Sequence, residues 1–270
     1  MKLIYVLVFL LLSFFCYAED PKSQEIIKKF DVGYYHPQDK GLKELVVRVD
    51  VQNITKQLNE QLIFGKLKEV YFKIYWTYPA NVDVEVIGLP EGFQEIKQEF
   101  KAMIAARLDL IVPELLEKKF EGYELKSLVS KDSTDIIATD TTQTKMIHEF
   151  VAKFDKDGNL NALVGRKPMA TEESKLSYGK HPWSQNKWVV NSINVKMQDA
   201  AQTTIIDTQI EYTSIEGYGF PKVIKSKTKQ SILNGNKKPI ERSFDSEMSF
   251  SDFKVNSGEA QTWLKKVGSP

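Results

Sequence analysis

The chain holds three histidines, His36, His148 and His181. They are scattered. None has the HExxH spacing that puts two imidazoles on one helix face around zinc. Cys16 stands alone in an apolar leader, so cleavage after Ala18 leaves no thiol for a nucleophile or a metal thiolate. No GxSxG elbow, P-loop or GxGxxG occurs. Asp155-Lys156-Asp157-Gly158-Asn159 has the flavour of a calcium loop. It lacks the third acid and the closing glutamate of an EF-hand, and Asp-Gly and Gly-Asn are turn dipeptides. The carboxylates are abundant, but none is singled out as an acid–base pair. The expectation is a protein that is not an enzyme and needs no cofactor or metal.

What the sequence offers instead is apolar surface at regular spacing. Val70 to Tyr78 reads as an aromatic-rich strand, with Phe72, Ile74 and Trp76 on one face. Over 92–120, apolar residues recur at three-and-four spacing and charged residues fill much of the other side, so the spacing predicts a long amphipathic helix. Pro113 lies inside it. Its missing N–H predicts a kink near Asp109–Val112 and a candidate hinge. If the sheet curves, the space between strand and helix is either a packed core or an acyl-chain cavity. The candidate lining is Phe72, Ile74 and Trp76 from the strand, with Phe100, Met103, Ile104, Leu108 and Ile111 from the helix. Met103 suits a site that adapts to varied chains.

The positioning elements are mostly strands. Residues 19–40 read as a lead-in segment with a short helix at 22–30. From Gly41 a strand carries Val47, Val49 and Val51 on one face and Arg48, Asp50 and Gln52 on the other. A helical turn or two fits 55–67. Strands around 70–78 and 82–86 form a hairpin over Pro79-Ala80-Asn81. After the helix come strands at 123–130, 146–154, 160–166, 188–197, 204–215, 221–233 and 240–253, mostly joined by short turns. One turn holds Asn234-Gly235-Asn236. The stretch 167–186, with His181-Pro182-Trp183, reads as a long polar loop. A short helix fits 258–266. The expected organisation is a leader (1–18), the lead-in (19–40) and a single antiparallel domain (41–270).

Lys2, the apolar run to Phe15 and Cys16-Tyr17-Ala18 have the layout of a cleavable secretory signal, which implies a periplasmic or secreted protein. The run is short for a bilayer-spanning helix, which needs roughly twenty residues. The chain carries 37 Lys+Arg against 36 Asp+Glu, and losing Lys2 brings them into balance. That argues against a nucleic-acid partner, which would demand a basic field.

The run Trp188-Val189-Val190-Asn191-Ser192-Ile193 is followed by Ile210-Glu211-Tyr212-Thr213-Ser214-Ile215. Then comes Glu216-Gly217-Tyr218-Gly219-Phe220-Pro221-Lys222-Val223-Ile224. The spacing of Tyr212, Gly217, Pro221 and Ile224 resembles a passage in exported proteins of the LolA/LolB-like and LppX/LprG-like superfamily. The resemblance implies an α+β fold, a single curved antiparallel sheet forming a half-open barrel. A long kinked helix would cover its concave face. It also implies a periplasmic carrier of a lipid or of a lipoprotein's acyl chain, with envelope proteins as further partners. The rival reading is a structural or protein-interaction domain of the envelope. That domain would have a filled core, no ligand, and a binding surface on the sheet edge or the 167–186 stretch.

Overall fold

The computed structural model describes residues 20–62, 65–233 and 239–268. The leader lies outside them, as does the Asn234-Gly235-Asn236 turn. Among the described residues, twelve strands form one open, curved sheet. They are β1 (Glu44–Val51), β2 (Tyr71–Thr77), β3 (Asn81–Ile87), β4 (Glu124–Val129), β5 (Ser133–Thr139) and β6 (Glu149–Asp155). Then follow β7 (Leu160–Arg166), β8 (Ala170–Gly179), β9 (Val189–Asp199), β10 (Gln202–Ile215), β11 (Tyr218–Leu233) and β12 (Pro239–Val255). The spatial order is β3-β2-β1-β12-β11-β10-β9-β8-β7-β6-β5-β4, all antiparallel. The chain from β4 to β12 is a meander. Among the described strands, only the β1–β12 pairing joins partners distant in sequence, and it inserts the first hairpin beside the last strand. A sheet of this size does not stay flat, because each strand is twisted against the next. Its two edges, β3 and β4, do not meet.

The helices are α1 (Pro21–Gly33), α2 (Ile54–Gln61), α3 (Gln94–Ala105), α4 (Leu108–Ile111), α5 (Leu116–Lys119) and α6 (Glu259–Val267). The alternation expected for β1 holds on its inner face, where Leu45, Val47 and Val49 are fully buried. Val46 points the other way and is buried too. It packs with Tyr75, Ala260 and Trp263 beneath α6, whose indole stacks on Tyr75 at 4.6 Å. The β6–β7 hairpin is the expected one. Asp155 Oδ1 accepts the main-chain N–H of Asp157 and of Asn159, both at 2.9 Å, and Gly158 takes a positive φ of 85°. This carboxylate is therefore spent inside its own turn.

Two expectations are corrected. The helix predicted over 92–120 is three short ones, α3, α4 and α5. The first break comes earlier than Pro113. At Arg107 the main chain changes to a three-residue step, Arg107 N–H to Ile104 O at 3.0 Å, a 3₁₀ turn. Pro113 makes the second break, because the residue before a proline is pushed out of the helical region. Val112 sits at φ −131°, ψ 85°. The polar stretch 167–186 is not a long loop. Half of it is β8, which pairs with β7 and β9. Only Leu176 and Tyr178, near its end, reach the core, and the polar run before them gives no alternation to mark a strand, yet its main chain is ordered by a strand on each side. β5 was also unmarked in the sequence reading.

Candidate functional site

The eight candidate lining residues do come together. Cross-strand pairing puts Phe72 opposite Val49, Ile74 opposite Val47 and Trp76 opposite Leu45, all on the inner face. Phe72, Ile74, Trp76, Ile104 and Ile111 are at most 2% exposed. Phe100, Met103 and Leu108 pack half-buried on the same cluster. The Phe100 ring stands edge-on to Phe72 at 5.7 Å. Around these residues the space between strand and helices is a packed core. Each side chain of this kind contributes roughly 1.5–3 kcal/mol by leaving water.

One cleft of about 550 Å³ opens at the margin of this core. Trp76 and Leu108 reach it, beside Tyr78, Pro79 and Leu115, with His36 and Gln38 at its polar side. Pro113 borders this region through Val112 and Glu114. Its carbonyl accepts His36 Nδ1–H at 3.2 Å and Gln38 Nε2–H at 3.0 Å. Asp31 caps the next helix, its oxygens accepting the N–H of Leu116 at 2.8 Å and of Glu117 at 3.0 Å. The segment expected to hinge is thus tied to residues 31–38. His36 Nε2 lies 3.8 Å from Asp31 Oδ1 and has no hydrogen-bond partner among the described residues. Burial pushes the imidazole's pKa down and the Asp31 carboxyl's up. Sequence reasoning passed over His36 because its partners lie far along the chain.

His181 and Trp183 have structural partners. Their rings stack at 4.8 Å, and His181 Nε2 meets Asn191 Oδ1 at 3.0 Å. Trp183 lies on Gly219 so closely that a Cβ there would fall 2.0 Å from the indole. His148 lies just before β6, where its carbonyl accepts the N–H of Asp140. Among the described residues, no group of three or more His, Cys, Asp or Glu is arranged to hold a metal ion.

A second surface lies further along the sheet. Strands β9–β12 are long, and the core cluster reaches along their inner face only to about Ile193, Ile210, Ile224 and Met248. Beyond it the pairing defines further rows. One is Val195, Ile206, Thr228 and Phe244; the next is Met197, Thr204, Gln230 and Arg242. Across residues 193–197, 202–210, 224–232 and 240–248 this face carries a single charge, Arg242. The opposite face of the same strands is charged, with Lys225 opposite Glu247 and Lys227 opposite Asp245. The described helices pack chiefly on β1–β4 and β11. Phe244 is 51% exposed and Ile240 45%. Thr208 and Ser226, buried between their neighbours, satisfy each other at 2.9 Å. The result is a wall whose sole charge is Arg242, with exposed apolar side chains and no helical roof among the described residues.

No protein-family model matches the chain, and no curated protein matches it. One solved structure is similar, a domain from Vibrio parahaemolyticus described as an outer membrane lipoprotein-sorting protein. The alignment covers 91% of this chain and 97% of that one at 12% identity, with a TM-score of 0.37. That superposition is too loose to carry an argument about this chain.

Proposed function

We propose that this protein is an exported carrier that binds the acyl chains of a lipid or of an acylated lipoprotein. The observation that carries the reading is the inner face of β9–β12, which bears one charge, Arg242, and no helical roof among the described residues, set against the charged outer face of the same strands. A strand pattern that sheds charge from one face alone is suited to an apolar neighbour. The mechanism is passive. Acyl methylenes leaving water for Val195, Ile206 and Phe244 gain about 0.8 kcal/mol each. Arg242, at the outer end of the wall, suits a phosphate or carboxylate head group.

This reading moves the acyl site away from the strand–helix interface first expected, because Phe72 and Ile74 already have packed neighbours there. That same filled core favours a second reading, an envelope interaction domain without a ligand.

Native mass spectrometry of the protein purified from its own envelope, followed by lipid extraction, tests the first. A co-purifying acyl lipid near one-to-one supports the carrier. A clean apo mass that also fails to take up a fluorescent fatty acid leaves the interaction domain.

A further inference from the structure

The sheet ends on β3, and among the described residues the side of β3 away from β2 makes no main-chain hydrogen bond to another element. The Val84 N–H has a neighbour there, the Asp83 carboxylate. Such an edge is a template for one more strand. Here the template lies in an open groove of about 1440 Å³, with α3 along one wall and α6 along the other. Three of the protein's exposed large apolar side chains line it: Tyr78 (63%), Val82 (36%) and Val267 (49%). Main-chain donors and acceptors, two helical walls and apolar footholds therefore coincide.

The charges of the groove say what kind of strand fits. Its acids are already engaged. Asp83 takes Lys101 Nζ and the Trp263 indole N–H, each at 2.9 Å. Glu85 accepts the Tyr75 hydroxyl at 2.9 Å, and Glu44 caps α6 through the N–H groups of Gly258 and Gln261. Lys43 and Lys97 also line the groove, and neither makes an ion pair among the described residues. Four lysines, Lys43, Lys97, Lys101 and Lys265, stand against three acids in the lining, so the balance of charge met by an incoming chain is positive. We infer that the β3 edge binds an extended, acidic segment of another protein as an added strand. The Lys101–Asp83 pair reaches across the edge from α3 and guards it against indiscriminate pairing. A carboxylate on the incoming strand takes over Lys101, while Asp83 keeps the indole.

The test uses the whole protein and two capped decapeptides, one alternating valine with glutamate and one alternating valine with lysine. Affinity is read by fluorescence anisotropy, and the site by amide hydrogen exchange. The expected result is preferential binding of the glutamate peptide with new protection confined to 81–87. In Lys43→Glu/Lys97→Glu, two surface substitutions, its affinity falls about tenfold, as expected for two solvent-facing ion pairs. Equal binding of both peptides overturns the inference, as does protection appearing at the β4 edge. Concentration-dependent dimerisation with protection at 81–87 and no peptide effect also overturns it, and makes a second copy the occupant.

Discussion

The Nδ1–H of His36 donates to the carbonyl of Pro113 across 3.2 Å, although 77 residues separate them in sequence. Gln38 donates to the same oxygen. Together they hold the break between α4 and α5 against the lead-in segment. Gln38→Ala should cost about 1 kcal/mol, the net worth of a hydrogen bond of this kind. His36→Ala should cost more, because it also removes a ring that is 2% exposed. Urea unfolding curves of the two variants check the order.

His36 also makes stability depend on pH. Burial lowers its pKa in the fold, opposed by the hydrogen bond to the Pro113 carbonyl and by Asp31 and Asp39, and assisted by Lys187. The unfolded chain therefore takes up the proton first as pH falls. Stability from this site is complete above the unfolded value of about 6.5 and is lost as pH drops through it toward the lower folded value. Asp31 acts oppositely, since its raised pKa weakens the fold as pH rises above its ordinary value near 3.8. His36→Asn, which keeps an N–H donor, should flatten the decline between pH 7 and pH 5. An unchanged slope by thermal unfolding would show that the titration lies elsewhere.

Phe72 distinguishes a core from a cavity. Its side chain is fully buried against Phe100 and the inner face of β1. Phe72→Ala should cost about 3–5 kcal/mol. If a fatty-acid probe binds the wild type, its affinity for whatever folded Phe72→Ala remains should hardly change. A loss of affinity without a loss of stability would return the acyl site to the strand–helix interface.

Phe244 should behave in reverse. It is half exposed on the open wall of β9–β12. Phe244→Asp should leave stability within about 0.5 kcal/mol, as for an ordinary surface change. It should also abolish uptake of the fluorescent fatty acid. Arg242→Ala should weaken an anionic lipid more than a neutral one in the same titration.

Gly219 is required for its lack of a Cβ. Trp183 lies directly over it, and its N–H donates to the Tyr35 hydroxyl at 3.0 Å. Gly219→Ala should cost about 1–3 kcal/mol through overpacking. The displaced indole should also register in the near-ultraviolet circular dichroism.

What the sequence determined by itself was local. The alternation of Val47 and Val49 marked a strand, and Asp155 with Gly158 marked the turn that joins β6 to β7, since period and turn chemistry act over a few residues. The stripe of Phe100, Ile104 and Ile111 marked helix, because a face is repeated every turn. The same stripe did not reveal the break at Arg107, where a 3₁₀ step keeps Ile104 and Ile111 both buried. β8 stayed hidden because only Leu176 and Tyr178 of its ten residues reach the core, and the rest of the strand is held by main-chain pairing to β7 and β9. Tertiary structure alone decided which apolar faces were covered. The pairing of β1 with β12 brought residues near opposite ends of the chain together and closed a core over Phe72 and Ile74. It left Phe244 in the open. An apolar side chain carries the same hydrophobicity in either place, and only the position of its neighbours separates a filled core from a surface free to bind.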